Sequence, residues 1–139
     1  MVEPVSVAEL LDLMAVTHER INNLWQLFIW IHLTIMGALA LLPRRIGFLE
    51  RAVIIGAYLA FIYINRNAVI DAYDYLLLLK EEIAAAPIPE GALGGGLVEY
   101  WRGIDMEMRL QFLPYVHLAA GGLTTLALLL ANVIGGRRD

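Results

Sequence analysis

Residues 27–43 read LFIWIHLTIMGALALLP, an uncharged run followed at once by two arginines. A helix needs about 17–25 mostly apolar residues to cross a hydrocarbon core about 30 Å thick. Three stretches meet that requirement, at 24–42, 48–64 and 112–134. Hydrophobic residues make up 60% of the 139, against about 45–50% in an ordinary globular domain, and the mean hydropathy is +0.67. The chain therefore reads as an all-α integral membrane protein of one domain, with the lipid bilayer as its first partner. The second span is the shortest. Its mouth carries Glu50 and Arg51, long side chains suited to snorkelling toward the interface, and the connector 43–47, PRRIG, is compact enough to join only antiparallel neighbours.

Orientation follows from the basic residues near the span ends. Arg44, Arg45, Arg51, Arg137 and Arg138 fall on one side with only Glu50 and Asp139, whereas Arg20, Arg66, Lys80, Arg102 and Arg109 face twelve acids on the other. That asymmetry predicts a multi-pass protein of the cytoplasmic (inner) membrane, N-terminus outside and C-terminus inside. Trp25, Tyr63, Phe112 and Tyr115 lie at the predicted outer ends, where interfacial rings are favoured. The start, MVEPVSVAELLDLM, lacks the pattern of a cleaved leader, so insertion is expected to rely on internal segments. There is no cysteine, which excludes disulfides, thiolate metal sites and redox thiols.

The spans continue as helices beyond the lipid, at 6–23, 65–86 and 97–111. Ser6-Val7-Ala8-Glu9 matches a capping box. Behind it Val7, Met14, Ile21 and Phe28 repeat every seven residues, with Leu10, Thr17, Leu24 and Ile31 three residues after each, so one helix is expected to run into the first span. Asn65, Val69, Ala72, Leu76, Leu79 and Ile83 continue the second as one stripe. After a proline- and glycine-rich loop at 87–96, Leu97, Trp101, Ile104, Met108, Phe112 and Tyr115 follow helical spacing, with Glu99/Arg102 and Asp105/Arg109 as surface pairs. Gly103 weakens that last helix, and Pro114 is expected to restart or kink the third span. The three extensions predict a short extracytoplasmic bundle continuous with the membrane helices.

Few polar groups interrupt the apolar runs. His32 lies near the middle of the first span, and counting residues from the arginine side puts Tyr58 and Thr124 at the same depth, about 15–17 Å in. An unpaired imidazole in hydrocarbon is costly, so His32 is expected to hydrogen-bond within the protein, with Tyr58 and Thr124 as candidate partners. His117, Gly121, Thr125 and Asn132 share a face of the third helix. Together His32, Tyr58, His117, Thr124, Thr125 and Asn132 form the candidate intramembrane network or polar path. Histidine titrates near neutrality, so gating or relay of protons is chemically available. The simpler expectation is that the histidines are neutral interhelical donors and the threonines bond to backbone.

Two small-residue faces, Ala52/Gly56/Ala60 and Ala127/Ala131/Gly135, permit close helix approach within one chain or between copies. His18-Glu19 with Asn22, Asn23, Asp71 and Asp74 raises a divalent-metal site, but HExxH is missing because position 22 is asparagine. A solvated polar face is the better expectation there. No metal, cofactor, nucleotide or nucleic-acid pattern is present, and no catalytic constellation argues for an enzyme. The sequence reading is thus a homo-oligomeric membrane assembly with a cation or proton path. Its alternative is a non-catalytic accessory or scaffold subunit, docking to unlike membrane subunits through its acidic extensions.

Overall fold

A computed structural model describes residues 6–41, 46–86 and 95–134, with side chains as far as residue 131. Four helices follow in order: α1 (Val7–Leu41), α2 (Phe48–Ala85), α3 (Gly95–Gly103) and α4 (Met106–Ile134). No strand occurs among the described residues. Three helices, α1, α2 and the Met106–Ala131 portion of α4, are long and apolar enough to cross a membrane. With 35 and 38 residues, α1 and α2 each exceed about 50 Å at 1.5 Å per residue. Both are therefore much longer than the hydrocarbon they would span.

Local chemistry fixes the helix starts. The Ser6 N–H and hydroxyl both donate to Glu9 Oε2 at 2.8 Å, and the Glu9 N–H donates back to the Ser6 hydroxyl at 3.3 Å. Two of the otherwise unpaired first-turn donors are thereby satisfied. These contacts hold the Glu9 carboxyl below its ordinary value, the Ser6 backbone N–H being the larger cause. At the start of α2 the Glu50 carboxylate accepts the Gly47 N–H at 3.1 Å. Arg51, rather than snorkelling outward, donates to the carbonyls of Leu129 (3.0 Å) and Ile46 (3.3 Å), tying α2 to α4.

The core concentrates where α1 and α2 extend past their most apolar stretches. Leu10, Met14 and Ile21 of α1 pack into one cluster with Val69, Ala72, Leu76, Leu79 and Ile83 of α2, closed by Val98 and Trp101 of α3 and by Met106 and Leu113 of α4. Burial of each large aliphatic side chain contributes about 1.5–3 kcal/mol. In the apolar part the pattern reverses. Trp30, Leu33, Phe48 and Leu49 are 66, 59, 87 and 75% exposed, a surface that hydrocarbon, not water, would solvate.

The third extension departs from the expected continuous helix. The chain leaves α3 at Gly103, Ile104 and Asp105 are non-helical, and α4 starts afresh at Met106. Asp105 caps it, its Oδ1 accepting the Met108 N–H at 2.8 Å, while Lys80 of α2 donates to the Ile104 carbonyl at 2.8 Å. Each non-helical residue shifts the helical phase. After the break Met106 and Leu113 are therefore buried, whereas Met108, Phe112 and Tyr115, expected on the packed stripe, are exposed; before it, Trp101 is buried as expected, with Val98 buried and Leu97 exposed. Pro114 does not restart the span, because α4 continues through it. The expected surface pairs are replaced by other contacts: Asp105 serves as the cap, and Arg102 reaches the Ala84 carbonyl at 3.5 Å. Arg44, Arg45, Arg137 and Arg138, on which the orientation rests, lie outside the described residues, as do Gly135, Pro43 and positions 87–94 of the loop.

Candidate functional site

Inside the apolar part, one hydrogen-bond chain joins all three long helices. His32 Nδ1 lies 2.6 Å from the Phe28 carbonyl one turn back on α1. A carbonyl only accepts, so Nδ1 carries the hydrogen and Nε2 is left as the acceptor. The Tyr58 hydroxyl of α2 stands 2.6 Å from that Nε2 and donates to it. Thr124 of α4 is buried and acts on the Tyr58 side chain. Neutral His32 is thus fully satisfied. The Ala120 carbonyl, 3.4 Å from the same hydroxyl, gives Tyr58 a second place for its hydrogen. If His32 took a second proton, Nε2 would donate to Tyr58 and Tyr58 would turn to Ala120.

A second chain lies about two turns further along. Asn65 Nδ2 of α2 donates to the Leu24 carbonyl of α1 at 3.1 Å. Asn65 Oδ1 faces His117 Nε2 of α4 at 3.2 Å, and His117 Nδ1 faces the Leu113 carbonyl at 3.0 Å. Both ends of this chain are carbonyls. Asn65 supplies one donor and one acceptor, so three hydrogen bonds require two N–H groups on His117. Flipping the amide does not help, since it moves the mismatch to Leu24. With a neutral ring the chain lacks one hydrogen; with an imidazolium it is complete.

An aromatic shell surrounds the pair. The Phe28 ring lies between the imidazoles, 4.2 Å from His32 and 4.4 Å from His117 between centroids, and Trp25 is 5.2 Å from His117. At such distances a ring face stabilises a cation by about 0.5–2 kcal/mol. A mismatched buried pair costs about 1–3 kcal/mol. Against both stand the cost of burying a charge in an apolar surrounding and the like charge of Arg66, the cationic side chain that acts on His117 from α2.

The structure brings His32, Tyr58 and Thr124 together and sets His117 with Asn65. Thr125 belongs elsewhere, lining a groove between α2 and α4 with its hydroxyl buried and without a hydrogen bond. Asn132 is in α4, with its side chain outside the described residues. Ala52, Gly56 and Ala60 all face outward, and a Cβ added at Gly56 would meet nothing within 4 Å, so this face is not used inside the chain. Ala127 and Ala131 are half-buried. His18 stacks edge-on against Trp101 at 5.5 Å, and Asp71 and Asp74 are exposed. Among the described residues, no three histidine or carboxylate side chains converge to hold a metal ion.

Sequence reading places Asn65 in a packing stripe and does not mark it as a site residue. Its signal was the seven-residue spacing from Tyr58, which puts both on one buried face of α2. Phe28, Trp25 and Arg66 carried no such mark. No protein-family model, curated protein or solved structure matches this chain.

Proposed function

We propose that this protein is a non-enzymatic, self-associating membrane subunit that takes up and releases protons at the buried His117, with the half-buried His32 beside it. The observation that carries this reading is the Leu24–Asn65–His117–Leu113 chain, which needs a second hydrogen on His117 to be complete. The two-way hydrogen of Tyr58 gives His32 a satisfied arrangement in either protonation state. Both networks lie inside one subunit, which favours proton movement through or within each bundle over a water-filled pore between copies. The bare Ala52/Gly56/Ala60 face supports self-association through α2, and the arginine distribution supports a cytoplasmic C-terminus in the inner membrane.

The test is reconstitution into vesicles carrying an internal pH dye, with the native mass of the detergent-extracted protein measured alongside. A single defined oligomer and an acid-driven proton flux lost in His32→Ala and His117→Gln are expected. Flux unchanged by both substitutions would remove the histidines from the function.

One observation favours a second reading, an accessory or scaffold subunit. Leu13, Val16, Tyr75, Leu78, Leu97 and Tyr100 are 37–61% exposed on the parts that project past the apolar runs, where lipid would not cover them. Copurification only with unlike membrane subunits, and no flux, would select it.

A further inference from the structure

Between α2 and α4 runs an open groove of about 650 Å³, walled by Leu59, Ile62, Leu118, Leu126 and Leu129. Along α4 its lining extends from Pro114 to Leu129, about 22 Å at the helical rise, enough to pass through one leaflet of about 15 Å. Two glycines shape it. Gly121 sits against Ile62, where a Cβ would make an ordinary contact at 3.7 Å; a Cβ on Gly122 would meet nothing within 4 Å, so this one leaves the groove open.

The groove walls are mainly aliphatic, with His117 and Thr125 among the lining and a cation at one end. Arg66 lines it there, where α2 passes from Tyr63-Ile64 into Asn65-Arg66-Asn67. Its Nε is buried with no hydrogen-bond partner, and the guanidinium has no ion pair with any described residue. Thr125, further in, likewise leaves a buried hydroxyl unbonded. Arg66 as a whole is half-buried, and a partly desolvated guanidinium without a partner is stabilised by an anion that completes it.

We infer that this groove binds an anionic phospholipid, one acyl chain lying along α4 and the phosphate on Arg66. The polarity order matches that ligand: a cation where the helix leaves the apolar run, hydrocarbon walls below. A second copy of the chain is the competing occupant, and the test below separates the two. The inference stands apart from the proton reading, although His117 also borders the groove.

Native mass spectrometry of the detergent-purified protein, titrated with dioleoyl phosphatidylglycerol or dioleoyl phosphatidylcholine, tests it. The wild type is expected to hold one phosphatidylglycerol per chain about ten-fold more tightly than phosphatidylcholine. Arg66→Gln is expected to erase that preference while leaving the helical circular dichroism unchanged. Gly122→Phe fills the groove from an open position and leaves the charge in place, so it is expected to weaken both lipids. Equal retention of the two lipids by wild type and Arg66→Gln would overturn the site. So would unchanged lipid affinity in Gly122→Phe accompanied by a smaller oligomer, since the groove would then belong to a second copy.

Discussion

Replacing Asn65 and His117 with leucine, singly and together, tests the proton count directly. Either single change strands a partner: without Asn65, His117 Nε2 faces hydrocarbon, and without His117, Asn65 Oδ1 does. Each stranded group costs about 1–3 kcal/mol. The contacts of 3.1 and 3.2 Å lie at the long end of the N–H···O range, which argues for the lower half of that cost. In membrane proteins such couplings average about 0.6 kcal/mol and reach about 1.7. A coupling near 1 kcal/mol is therefore expected between the two sites, the double variant losing less than the sum of the singles. The cycle is measured by reversible unfolding in mixed detergent micelles at two pH values. Because a neutral ring donates to only one of Asn65 and Leu113 while an imidazolium donates to both, the coupling is expected to grow as pH falls. Additive losses at both pH values, or a coupling that shrinks in acid, would refute the reasoning.

Other outcomes follow from single contacts. Tyr58→Phe removes the only side-chain donor to His32 Nε2 and is expected to lower stability by about 1 kcal/mol, read as a fall in Tm of the detergent-solubilised protein. Leu76→Ala, at a core position 1% exposed, is expected to cost about 2–5 kcal/mol in the same assay. Asp105→Ala removes the cap of α4 at a cost of about 0.5–2 kcal/mol, with hydrogen exchange accelerating first at the Met108 amide. Glu9, held below its ordinary value by Ser6, supports the start of α1 fully above that ordinary value and progressively less as pH falls through the lower folded one; exchange of the Ser6 amide is expected to quicken across that acid window in wild type but not in Glu9→Gln.

Much of the packing was written in heptads. Met14, Ile21 and Phe28 and the stripe from Asn65 to Ile83 are buried as their spacing requires, because α1 and α2 are unbroken and a constant period survives along them. The same arithmetic misplaced Met108 and Phe112, since a two-residue interruption at Ile104-Asp105 rotates all that follows. Gly103 marked weakness there, and Asp105 is a good capping residue, but neither reveals that Lys80 pins the Ile104 carbonyl from a neighbouring helix. Depth counting placed His32, Tyr58 and Thr124 at one level because each count began near a charged or glycine boundary. The partner of His117 was not readable that way. Asn65 sits on a packed stripe, and only the tertiary arrangement turns its amide toward two other helices at once.

The seam between α3 and α4 divides the molecule mechanically. A continuous helix resists twisting and bending over its whole length, so α1 and α2 act as levers that carry a tilt from the hydrocarbon to the far tips. At Asp105 that stiffness is interrupted, so a displacement of α4 would not pass along a continuous helix into α3. α3 is clasped to α2 through Arg102 and the Ala84 carbonyl, and it would follow α2 instead.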